Sequence, residues 1–123
     1  MMKKYSIIIT IIAISLLAIC VMLFYRMGMA EVRLAFAEEQ IKIFNEMEKS
    51  ALKSTPEEAI ANLEYTLNYY PSGTKQQEGT FLDKIVEKER KLAISNIISY
   101  LKEKTKDNLG DDPEKWIKKY KKK

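Results

Sequence analysis

The chain opens on an unbroken apolar run. From Tyr5 to Tyr25 the sequence "YSIIITIIAISLLAICVMLFY" holds no charged residue, and only Ser, Thr and Cys interrupt it. About 20 residues at 1.5 Å rise cover the roughly 30 Å hydrocarbon core of a bilayer, and a helix satisfies its own backbone groups there. Tyr5 and Tyr25 stand at the two ends, where amphipathic rings favour the headgroup level. The run is longer than the roughly 7 to 15 apolar residues of a usual secretory signal core, so it reads as an uncleaved signal anchor. Two alternatives stay open. One is a secretory signal cut after Gly28-Met29-Ala30; the other is a lipoprotein signal at Cys20, which would put Ile19 where a small residue is needed. Lys3, Lys4 and the N-terminal amine outweigh Arg26 and Arg33 by a thin margin. The expectation is a single-pass protein of a bacterial cytoplasmic membrane, N-terminus inside and the remaining domain outside.

Beyond the run the pattern changes to helical spacing. Residues 30–53 place Leu34, Ala37, Ile41 and Phe44 at intervals of 3, 4 and 3, with a second stripe from Val32, Phe36, Ile43 and Met47. Two stripes make a wide face, which suits a helix inside a bundle. A coiled-coil homodimer through residues 27–51 is the alternative, with Glu48 at the next core-type position against it. Thr55-Pro56 then signals a new start, with Thr55 as N-cap, Pro56 at the first helical position and Glu58 as the return partner of a capping box. Ile60, Leu63 and Leu67 share a face, Tyr65 and Tyr69 lie beside it, and Pro71 disfavours helical geometry at Tyr70. Thr80 with Asp83 repeats the cap signal for a long helix over 81–105. Its buried stripe runs through Leu82, Val86, Ala93, Ile97, Tyr100 and Leu101, adjoined by Ile94 and Ile98. Ser95 and Asn96 read as polar boundary residues.

The stretch "LGDDPEKWIKKY" (109–120) gathers a glycine, two aspartates, a proline and the single tryptophan. Gly110 suits a left-handed helix end, Asp112 caps the next helix and Pro113 presets its first turn. That is punctuation rather than a calcium loop, whose ligands alternate before a glycine. Trp116 reads first as an aromatic plug docking the last helix. The expectation is therefore an all-α protein, with a transmembrane helix followed by a bundle of about four helices: residues 1–29 anchor, 30–117 domain, 118–123 a basic tail.

Composition removes most chemistry. The 123 residues include no histidine and one cysteine, Cys20, so the usual proton shuttle, the Ser-His and Cys-His nucleophiles and ordinary zinc sites are absent from the sequence. Carboxylate pairs at Glu38-Glu39, Glu57-Glu58 and Asp111-Asp112 point about 100° apart on a helix and do not converge on one atom. No phosphate loop or nucleophile elbow occurs. The expectation is a non-catalytic protein without cofactor or metal. The formal charge is +4, and Lys118, Lys119, Lys121, Lys122 and Lys123 dominate it. Those lysines are either solvated at the negative end of the last helix or meet anionic headgroups or an acidic partner. Nucleic acid is not an expected partner of a domain facing outward.

Two segments, "LEYTLNYYPSGTKQ" (63–76) and "TKDNLGDDPEKWIKKY" (105–120), resemble parts of uncharacterised membrane-anchored small helical proteins of planctomycete and verrucomicrobial bacteria. Lys106 departs from the glycine that would follow the threonine in that group. The resemblance implies a membrane anchor and no activity. Ala61, Tyr65 and Pro71 are similar to the second helix of a tetratricopeptide repeat, but the proline falls early and no 34-residue period appears. The function expected from the sequence is a membrane-tethered helical interaction or scaffold protein. The alternative is an extracytoplasmic ligand- or polymer-binding module using Tyr69, Tyr70, Trp116 and the basic tail.

Overall fold

The computed structural model describes residues 2–122. Among them are four helices and no strand: α1 (Met2–Ala51), α2 (Pro56–Asn68), α3 (Phe81–Thr105) and α4 (Pro113–Tyr120). The protein is all-α. The two helices expected over 5–25 and 30–53 are one, because "YRMGMAEVR" contains neither a proline nor a side chain suited to cap a new start. By contact the chain divides into two compact units, residues 1–34 and 35–123.

The first unit is helix alone. From Met2 to Leu34 every residue is exposed except Met29, which is half-buried. This stretch is long and apolar enough to cross a membrane, a test that a signal sequence also passes. Two of its polar interruptions are closed locally: Thr10 Oγ1 donates to the Ser6 carbonyl and Ser15 Oγ to the Ile11 carbonyl, each at 2.9 Å. Back-bonding of this kind removes free hydroxyls from an apolar surface.

The second unit is a bundle of the last part of α1 with α2, α3 and α4. Contacts between α1 and α3 climb together, Phe44 against Arg90 and Glu48 against Asn96, so these helices run parallel. Between α1 and α2 they run in opposition, Ser50 meeting Asn62 and Gln40 meeting Tyr70. One core cluster joins Ala51, Ile60, Leu63, Ile97, Ile98, Leu101, Trp116 and Ile117; a second joins Ala37, Phe44, Val86 and Ala93. The first stripe of α1 is thus occupied inside the chain from Ala37 onward. Leu34, expected to begin that stripe, is 48% exposed.

The starts and stops follow side-chain chemistry. Thr55 and Thr80 accept from the amides of Glu58 and Asp83, both at 3.4 Å, and Asp112 accepts from Glu114 at 3.0 Å. The capping box expected at Thr55 is half made: among the described residues the Glu58 carboxylate gives no return bond. At eight residues α4 is too short to hold itself. Trp116 secures it, fully buried, with Nε1 donating to the Gly110 carbonyl at 2.9 Å and its ring stacked on Tyr120. Burying on the order of 200 Å² of such a ring contributes roughly 5 kcal/mol before entropy is counted.

α3 ends at Lys106, which takes the left-handed conformation (φ 61°) and donates its amide to the Lys102 carbonyl. A Cβ makes that conformation cost about 1 kcal/mol or more. Replacing Lys106 with Gly should therefore stabilise the protein by about 0.5–1 kcal/mol and raise Tm by roughly 2–8 °C. A thermal melt that is unchanged or lower would show that this turn carries no strain.

Candidate functional site

The end of α2 carries an aromatic corner. The rings of Tyr65 and Tyr69, one turn apart, lie nearly parallel with centroids 5.2 Å apart, and Tyr70 stands at 77° to Tyr69 at 4.7 Å. With Asn68 and Pro71 they line an open cleft of about 500 Å³. Tyr65 is 47% and Tyr70 42% exposed, whereas Tyr69 leans inward onto Phe44. Among the described residues, none of these three hydroxyls makes a hydrogen bond. By contrast the Tyr100 hydroxyl donates to the Ser54 carbonyl and the Tyr120 hydroxyl to Asp107. Burial, and after it the Glu39 carboxylate, pushes the Tyr69 phenol above its ordinary pKa, so it stays a neutral donor.

A buried cation holds this corner. Arg90, 4% exposed, forks to the Thr66 carbonyl (2.6 Å) and the Tyr70 carbonyl (2.7 Å), pairs with Glu87 at 3.1 Å and lies over the Phe44 ring at 4.6 Å. It closes carbonyls that the end of α2 leaves open. Tyr70 is bent into positive φ (41°), and its carbonyl also accepts from Gln40 Nε2 at 3.2 Å. Sequence reasoning passed over Arg90. The signal was available, since position 90 follows Val86 by four residues and precedes Ala93 by three, on the apolar stripe itself.

Asp83 organises the turn that follows. Its carboxylate, 4% exposed, accepts from the Ser72 hydroxyl (2.7 and 2.8 Å) and the Gly79 amide (3.0 Å), which ties both ends of the 72–79 loop to the first turn of α3. Burial alone would raise its pKa, but the Gly79, Ser72 and Gly73 donors and the Arg90 charge together hold it below the usual carboxylate value. Lys75 bridges the loop to α1, its ammonium 4.2 Å from the Tyr70 ring and 4.4 Å from the Phe36 ring.

The other expected site residues lie elsewhere. Trp116 belongs to the core beneath α4, so it does not share a groove with Tyr69 and Tyr70. Lys118 and Lys119 are helical rather than part of a tail, because α4 continues to Tyr120. Lys119 pairs with Asp107 at 2.7 Å and Lys121 with Glu64 at 2.6 Å. The bond from Lys119, then that from Tyr120, lowers the Asp107 pKa, and the same contact raises that of Lys119. Exposed pairs of this kind contribute little. Lys118 and Lys122 are exposed, and Lys123 lies outside the described residues. Another cleft of about 350 Å³ has Leu67, Ile94 and Pro113 on its walls with Glu87, Lys91 and Asp111 around it, charges of both signs. Among the described residues no three His, Cys, Asp or Glu side chains gather to hold a metal ion.

Substituting Arg90 with Lys should destabilise the protein by about 2–3 kcal/mol, because one ammonium cannot reach both carbonyls and a desolvated acceptor is left. Denaturant titration measures it, and a loss below the scatter between repeats would contradict the role given to the fork. Asp83 tests the pH dependence. Its depressed pKa contributes stability that is present above the unfolded-state value, about 4, and is lost as pH falls through the folded value. Replacing Asp83 with Asn should cost about 1–3 kcal/mol at neutral pH, with the gap to the parent closing in acid. A gap that stayed constant with pH would mean the carboxylate charge is not what matters.

Comparison of the chain with protein-family models, curated proteins and solved structures finds no match. Function is therefore argued from the residues, not from kinship.

Proposed function

We propose that the chain is a membrane-tethered helical interaction or scaffold protein that works without catalysis. The observation that carries this reading is the surface of residues 5–25: Ile, Leu, Val, Met and Phe side chains around the whole helix are exposed, with none of the apolar window buried. An apolar surface of that extent needs a non-aqueous partner, and the internally closed Thr10 and Ser15 hydroxyls suit lipid. The mechanism is confinement. A domain held at a membrane meets other membrane-held partners at raised effective concentration, and its helix faces supply the contact. In a bacterial cytoplasmic membrane, the charge balance around the apolar run places the N-terminus inside and the domain outside.

One observation favours a second reading. Three phenol donors that have no partner among the described residues, around an open cleft, are suited to a ligand or polymer that offers acceptors. In that reading Tyr65 replaces Trp116 as the third ring.

Expression of the full chain in bacteria, followed by alkaline carbonate extraction and mass measurement of the N-terminus, tests the tether. The expected result is protein in the membrane pellet with Met1 or Met2 at its start and a reporter fused after Lys123 active outside the cytoplasm. Recovery of a soluble product beginning near Glu31 would replace the anchor with a cleaved signal.

A further inference from the structure

The chemistry of the tyrosine cleft narrows what it can hold. Tyr65, Asn68 and Tyr69 fall within one turn at the end of α2, and Tyr70 and Pro71 follow where the helix stops, so five consecutive wall residues come from one short stretch of chain. None of the five is charged. The charges that reach the rings are of opposite sign, Lys75 at the Tyr70 ring and Glu39 acting on the Tyr69 phenol. Tyr65 and Tyr69 stack too closely for anything to enter between them, so a ligand meets an outward ring face and the hydroxyls at the ring edges. Those hydroxyls can donate and accept. Asn68 Nδ2 donates to the Glu64 carbonyl at 2.9 Å, which leaves its Oδ1 facing the ligand side as an acceptor only.

We infer that the cleft binds a neutral oligosaccharide, with a pyranose ring stacked on Tyr65 or Tyr70 and its hydroxyls bonded to the phenols and to Asn68 Oδ1. The inference rests on the second reading above, that the cleft takes a ligand, and names the class of that ligand. A pyranose presents a face of C–H groups to the electron-rich face of an aromatic ring and carries hydroxyls around its edge. Those hydroxyls both donate and accept, which matches the wall group by group. A proline-rich peptide also brings flat rings, but its prolines offer carbonyls alone and would leave the Asn68 oxygen without a donor. An anionic ligand would need cations on the wall, and the wall has none. The cleft, about 500 Å³ and open, lies within the size range of small-ligand sites and lets a chain continue past it. Its rings are already fixed in the free protein, because Arg90 and Gln40 hold the Tyr70 carbonyl, so little ordering opposes binding.

The test uses the full chain in phosphatidylcholine nanodiscs, free of sugar-headed detergent, titrated with fluorophore-labelled cellotetraose and separately with labelled tetra-N-acetylchitotetraose. Anisotropy should show saturable binding of at least one of them, equal at low and high salt. Tyr65→Ala, at an exposed helical position that alanine suits, should weaken it about tenfold. Tyr65→Phe and Tyr70→Phe, which keep the rings and remove one hydroxyl each, should weaken it by a smaller factor, about threefold. Phe81→Ser, an exposed ring that does not line the cleft, should leave it unchanged. Absence of binding by both tetrasaccharides at millimolar concentration overturns the proposal, and so does binding that Tyr65→Ala leaves intact. Labelled decaproline separates the two levels of the inference: its Tyr65-dependent binding in place of the tetrasaccharides would remove the oligosaccharide and keep the cleft as a binding site.

Discussion

A guanidinium buried in a helical bundle is tolerable only where it finds acceptors in fixed places, and in this protein the end of α2 provides them. Desolvating a cation costs several kcal/mol, so Arg90 is stable in the core because the Thr66 and Tyr70 carbonyls, the Glu87 carboxylate and the Phe44 ring surround it. The carbonyl end of a helix also carries partial negative charge, which adds to the attraction. The dependence is mutual. Without the fork, α2 would end on open carbonyls in a place water reaches poorly. One side chain thereby links α1, α2 and α3, and the rest of the domain is arranged around that junction.

The geometry at the aromatic end follows from it. Tyr70 is pulled out of the helix into a left-handed turn with its carbonyl turned inward to Arg90 and Gln40, so its ring faces outward beside Tyr69. A loop leaving such a turn needs its own anchor, and the buried Asp83 carboxylate supplies it through Ser72 and Gly79. Strain at Tyr70 and a desolvated charge at Asp83 are unfavourable taken singly. They persist because each is satisfied by groups the other holds in place. The exposed rings are therefore fixed in position, a condition for selective contact with any surface.

The far end is built differently. There α4 is held by apolar contact, with Trp116 and Ile117 in the main core cluster, while its lysines reach exposed carboxylates. Pairing of Lys119 and Lys121 within the chain leaves less of the basic C-terminus free for an outside partner than the sequence suggests. The two ends thus separate two kinds of surface, aromatic at one and charged at the other, on a bundle whose middle is apolar.

How far the sequence spoke for itself can be traced residue by residue. Thr55-Pro56, Thr80 and Asp112-Pro113 announced three helix starts, and the 3–4 spacing of Val86, Ala93, Ile97 and Leu101 announced a buried face, because caps and periodicity act within a few residues of chain. The apolar run was legible for the same reason, since length and hydropathy are local properties. What depended on distant partners was not. The exposure of Leu34, the pairing of Lys121 with Glu64 and the separation of Trp116 from Tyr69 and Tyr70 are set by which surfaces meet in space. Above all, the place of Arg90 on the apolar stripe and of Asp83 in a cap does not say which distant groups would satisfy their charges. Local order thus determined the helices and the apolar leader, whereas tertiary packing alone decided that two charges would be buried and that Tyr65 and Tyr70 would face out while Tyr69 leans onto Phe44, because a buried charge is stable only when residues far along the chain bring their dipoles to it.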